Sequence, residues 1–130
     1  MLMKRKSRLS LRAARILTKK GMGTQSIHCM YYSVFQVMKY KLATTMNNPI
    51  SYEDQNVASR QWGSHISLLD EITDRISDEQ IKTQVRNTFN YLKRFRVLAD
   101  YNTNILTSNE CRNLLKMTEK LRFQLFNYIK

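Results

Sequence analysis

One proline, Pro49, and three glycines, Gly21, Gly23 and Gly63, are all that punctuate 130 residues. This scarcity constrains the fold more than any other feature. A sheet must be turned many times, and tight turns draw on residues that accept positive φ or pre-set it. No alternating β-branched run bounded by turn signals is present either. The chain is therefore expected to be all-α, a single domain of long helices closing into an antiparallel up-and-down bundle of about five helices.

Apolar residues recurring at three- and four-residue steps place those helices. After a basic N-terminal tail over residues 1–7, a first helix over about 7–20 puts Leu9, Ala13, Ile16 and Leu17 on one face, and Gly21 and Gly23 end it. Thr24 or Ser26 can cap a second helix with the stripe Ile27, Met30, Tyr31, Val34, Val37, Met38 and Leu42, stopped at Asn47-Asn48-Pro49. Residues 47–61 read as a polar loop. Ser64 can cap a third helix whose inner edge is Ile66, Leu69, Ile72 and Ile76. Capping boxes at Ser77-Asp78-Glu79-Gln80 and Thr107-Ser108-Asn109-Glu110 open the fourth and fifth helices. Their stripes run through Ile81, Val85, Phe89 or Thr88, Leu92, Phe95 and Ala99, and through Cys111, Leu114, Leu115, Thr118, Leu121, Leu125 and Tyr128 or Ile129.

The formal net charge of +12 is unevenly spread. Lys4, Arg5, Lys6, Arg8, Arg12, Arg15, Lys19 and Lys20 fill the first twenty positions without an acid, whereas Glu53, Asp54, Asp70, Glu71, Asp74, Asp78 and Glu79 crowd the middle. A basic face of this kind attracts polyanions, either nucleic acid or an acidic protein. No aromatic residue lies among those twenty positions, so the first helix by itself lacks the stacking platform of single-strand binders. Nowhere do eighteen apolar residues run together, and the N-terminus lacks a signal-peptide pattern. The expectation is a cytoplasmic protein with no membrane partner and no cofactor. Cys29 and Cys111 have no partner at ligand spacing and read as small buried residues, and His28, Cys29, His65 and Cys111 are too scattered for a metal site.

The groups that could carry chemistry cluster late in the fourth helix, in RFRVLADYNTN over residues 94–104. Arg96 borders the apolar face, and Asp100 lies one turn on, so the two can form a local ion pair. Alternatively Arg96, with Arg94 and Tyr101 nearby, offers a planar donor fork to a phosphate. Tyr31 and Tyr32 point about 100° apart, so one can join the core while the other reaches a cleft. His28 precedes Tyr32 by one turn and reads as a packing histidine or a proton-transfer group. Trp62 can bury its ring in the core or present it to a partner.

Three fragments, in order, carry a family likeness: SIHCMYYSVF opening the second helix, GSHISLL opening the third, and RVLADY late in the fourth. Together they resemble the HEPN (higher eukaryotes and prokaryotes nucleotide-binding) domain, particularly small stand-alone prokaryotic members, over about residues 10–128. The resemblance implies a HEPN-like helical bundle, homodimerisation, and a cleft near the motif arginine. Many such proteins are metal-independent RNases or toxins paired with a nucleotidyltransferase-type antitoxin, with an arginine followed after four to six residues by a histidine. Here Tyr101 stands in that place relative to both Arg96 and Arg94. A phenol, with a reference pKa of about 10, is a poor base near neutral pH. The expected function is thus a binding module for nucleotide, RNA or a partner protein through Arg94, Arg96, Asp100, Tyr101 and Tyr32, with weak or no nuclease activity. The alternatives are an endoribonuclease toxin using Arg96 with Tyr101 or His28, and a structural dimer that binds an acidic protein.

Overall fold

The structure, a computed structural model, describes residues 2–62, 64–101 and 106–130, and of residues 59, 61, 62 and 64–67 only the backbone. The side-chain roles read from sequence for Trp62, Ser64, His65 and Ile66 lie outside the described side chains. Six helices and no strand form the described part: α1 (Leu2–Lys19), α2 (Gly23–Thr44), α3 (Tyr52–Trp62), α4 (Ser64–Asp74), α5 (Glu79–Tyr101) and α6 (Ser108–Tyr128). No helix among the described residues is long and apolar enough to cross a membrane.

Helix α2 is the axle, packed against all five others. Its stripe is buried as the periodicity predicts, from Ile27 through Met30, Tyr31, Val34, Val37 and Met38 to Leu42. Around it the chain alternates in direction. Tying contacts mark three of the reversals: Gln55 Nε2 of α3 reaches the Lys39 carbonyl, Arg86 Nη1 of α5 reaches Asp70 of α4, and Gln124 Nε2 of α6 reaches Gln84 of α5. The end of α6 then meets the end of α2, where the Met46 amide and the Thr45 hydroxyl both donate to the Lys130 carbonyl. The result is an antiparallel up-and-down bundle.

Four local expectations change. The basic segment 1–7 is the first turns of α1 and not a tail, because no proline or glycine interrupts the helix before Lys19. The polar loop over 47–61 is a loop only to residue 51; beyond it, YEDQNVASRQW forms α3, with Glu53 and Asp54 in the first turn, where the helix dipole favours acids, and Arg60 in the last. Helix α2 begins at Gly23 without a side-chain cap, since the Ser26 hydroxyl is instead buried, donating to the Ala14 carbonyl at 2.9 Å and lying 2.6 Å from the Thr18 hydroxyl. Helix α5 is capped by Asp78 rather than Ser77, its carboxylate accepting from the amides of Gln80 and Ile81. The second capping box stands as read: Thr107 and Glu110 exchange bonds at 3.2 and 3.0 Å. That exchange holds the Glu110 carboxyl below its usual range.

Helix α1 is rotated from the expected register. Its buried positions are Ser7, Leu11 and Ala14, while Leu9 and Ile16 are 53% and 46% exposed. The seam against α2 explains the choice, because Ser7 and Ala14 face Ser26 and Ser33, all with no exposed surface. Small residues let the two backbones approach, and the hydroxyls bond carbonyls at close range. A large aliphatic side chain would hold the helices apart.

Two substitutions check this register by urea denaturation. Leu9→Ser should shift stability by less than about 0.5 kcal/mol, as an exposed site does, whereas Ala14→Leu should cost about 1–3 kcal/mol by overpacking the seam. Leu92, with no exposed surface, should cost about 2–5 kcal/mol when cut to alanine.

Candidate functional site

Helices α2 and α5 run side by side in opposite directions, so a step of four residues up one is matched by four down the other. Tyr32 therefore faces Arg96, and His28, one turn earlier, faces Asp100. The Arg96 guanidinium carbon lies 4.7 Å from the Tyr31 ring centre and 5.9 Å from that of Tyr32, and Nη1 is 3.5 Å from the Tyr32 hydroxyl. His28 Nε2 lies 2.9 Å from Asp100 Oδ1.

The arginine sits on an aromatic cradle. The Tyr31 ring is edge-on to Tyr32 at 5.6 Å, stacks near Phe35 and packs on Phe89 at 5.4 Å. Burial pushes the Tyr31 phenol far above its usual range; the Arg96 charge opposes this and Tyr32 adds to it. Tyr31 therefore stays neutral, presenting a π-face to the cation. Arg96 has no carboxylate within ion-pair reach among the described residues, and its Nε is buried without a hydrogen-bond partner. The local Arg96–Asp100 pair expected from their spacing is absent, because His28 holds the carboxylate.

Of the other sequence candidates, Arg94 and Tyr101 are not brought to this site. They lie about 200° and 140° around α5 from Arg96, and Tyr101 is 87% exposed. The pocket expected from Arg96, Asp100 and Tyr101 together is thus replaced by a ladder of Arg96, Tyr31 and Tyr32 above His28 and Asp100. Matched polar pairs one turn apart, His28 with Tyr32 and Arg96 with Asp100, were the signal for it in the sequence. Burial raises the thiols of Cys29 and Cys111, with Glu110 adding to the second, so neither is poised as a thiolate. Among the described residues no group of three or more His, Cys, Asp or Glu side chains could hold a metal ion.

Chemically, the ladder offers one desolvated guanidinium and one oriented imidazole. If His28 Nε2 donates to Asp100, Nδ1 carries the free lone pair, the arrangement by which a carboxylate orients a proton-accepting histidine. A second arginine that spacing could not single out is Arg122. It is 7% exposed, its Nη1 donates to the carbonyls of Ser7 at 3.3 Å and Ser33 at 3.0 Å, and its guanidinium carbon lies 5.9 Å from the Phe126 ring centre. Burial, with Arg15 and Arg8 adding and Glu119 opposing, pushes it down to about 10.

The His28–Asp100 pair is partly exposed on both sides. His28→Ala and Asp100→Ala should each lower stability by less than about 1 kcal/mol, and the double-mutant cycle in urea should give a coupling below about 1 kcal/mol. A larger coupling would make the pair structural.

No family model matches the chain, and no curated protein or solved structure does.

Proposed function

We propose that the chain is a HEPN-like helical binding module that takes a nucleotide, or a nucleotide unit of RNA, at the Arg96 end of the α2–α5 seam, with weak or no nuclease activity. The observation that carries this reading is the state of Arg96: a guanidinium held on two tyrosine rings at the mouth of a helix seam with no carboxylate beside it. A half-buried cation without a counter-ion is costly, and a phosphate is the planar-fork ligand that relieves the cost. Tyr31 and Tyr32 then serve as the platform that fixes the arginine.

The His28–Asp100 contact supports a second reading, a metal-independent ribonuclease in which His28 moves the proton and Arg96 stabilises the phosphate. His28 then fills the place that Tyr101 leaves empty in the family's motif. One experiment separates the two. Purified protein titrated calorimetrically with ATP and incubated with total RNA in EDTA should bind the nucleotide and leave the RNA intact, and Arg96→Ala should bind at least about tenfold more weakly, the loss expected for one charge-assisted contact. Discrete cleavage abolished by His28→Ala establishes the ribonuclease instead. Nucleotide binding that is absent, or unchanged in Arg96→Ala, overturns the binding reading.

A further inference from the structure

The strongest feature outside that site lies on the opposite side of α2, where α1 packs antiparallel to α6. Lys4 Nζ sits 5.6 Å from the Phe126 ring centre, Arg122 bonds the Ser7 carbonyl, and Arg15 Nη2 lies 2.9 Å from Glu119 Oε2. These contacts fix which flank of each helix borders the other. On α1, Arg5, Arg8, Arg12, Arg15 and Lys19 fall within a sector about 80° wide on the α6 side, a row about 21 Å long. On α6, Arg112, Lys116 and Phe123 occupy the facing bank, one step beyond Glu119. Phe123 is 64% exposed, a large aromatic ring left in water among cations.

We infer that the groove between α1 and α6 binds single-stranded nucleic acid, the α1 arginines taking the phosphates and Phe123 stacking on a base. The basic helix lacks an aromatic of its own; tertiary packing supplies one from α6. The charge there is not spoken for. Three acids of the middle segment are engaged away from α1, Asp70 by Arg86, Glu71 by Arg75 and Glu79 by Lys82. Among the described residues Arg15 is the only α1 cation paired with a carboxylate. At the floor, Arg122 Nη1 donates to two carbonyl oxygens; burial is the main cause that lowers its guanidinium, and the Arg15 and Arg8 charges lower it further, a repulsion that an entering anion relieves.

The arrangement fits a strand better than a lipid surface. The aliphatic edge of α1, Leu2, Leu9 and Ile16, runs along the side opposite its buried face. A bilayer-seated helix carries cations on both sides of such an edge, whereas here all but Lys6 of the α1 cations fall on the α6 side. Single-strand grooves combine a track of positive charge with an aromatic ring on which any base can stack. The inference shares its ligand class with the function proposed above but uses a separate surface, so the two can fail independently.

The test is fluorescence anisotropy with a labelled oligouridylate of about twelve nucleotides, within the usual site size, alongside ATP titration of the same proteins. Phe123→Ala should weaken oligonucleotide binding about fivefold or more, and Arg8→Gln with Arg12→Gln should flatten the log-affinity against log-salt slope by about 1.4, two phosphates' worth. All three side chains are exposed, and far-ultraviolet circular dichroism checks that the variants fold. ATP binding should be unchanged in both, and Arg96→Ala should leave the oligonucleotide slope intact. The inference is overturned if both groove variants bind the oligonucleotide like the parent. It is equally overturned if a duplex binds as tightly with no effect of Phe123→Ala, or if the protein binds phosphatidylserine vesicles or polyglutamate but no oligonucleotide.

Discussion

Everything in this bundle leans on the burial of α2. A helix that is apolar around most of its circumference must be surrounded, and α2 is: its long side chains meet α4, α5 and α6, while its small ones, Ser26 and Ser33, meet Ser7 and Ala14 of α1. The two kinds of face do different work. Large residues supply apolar area, and small residues set a short distance at which the Ser26 hydroxyl reaches the Ala14 carbonyl across the seam. That short distance also lets Arg122 touch the backbones of α1 and α2 at once, through Ser7 and Ser33.

The close packing leaves two guanidiniums in unusual positions, on opposite sides of the same helix. Arg96 rests on Tyr31 and Tyr32, and Arg122 on backbone carbonyls beside Phe126. Neither has a carboxylate partner among the described residues. In a chain of net charge +12, seven of the ten acids lie between residues 53 and 79, and Asp70, Glu71 and Glu79 among them are paired with Arg86, Arg75 and Lys82. The resulting field is positive around α1 and α6 and weak around α4. An approaching polyanion is oriented by that asymmetry before any contact forms.

All the helices but α3, the α2 stripe and the Thr107 capping box were legible because each is a local matter of period or caps, while α2 stops at Thr44, three residues before the Asn47-Asn48-Pro49 expected to end it. What failed was the choice between competing local options. Helix α1 carries two stripes, and hydropathy favours Leu9 and Ile16; the tight seam with α2 favours Ser7 and Ala14. Ser26 looks like a cap until its hydroxyl is claimed by Ala14 and Thr18. Asp100 looks like a partner for Arg96 one turn away until α2 brings His28 within 2.9 Å. In each case a residue with two acceptable local fates was decided by a group distant in sequence.

The sequence by itself determined that the chain is helical, that α2 carries a long apolar stripe, and that positive charge gathers on the first helix, since composition and periodicity act along a single segment. Only the tertiary structure decided which flank of α1 faces α6, which aromatic rings carry Arg96, and that Phe123 is left exposed on α6. Those are relations between segments, governed by how closely two helices can approach, and no spacing within one segment encodes that distance.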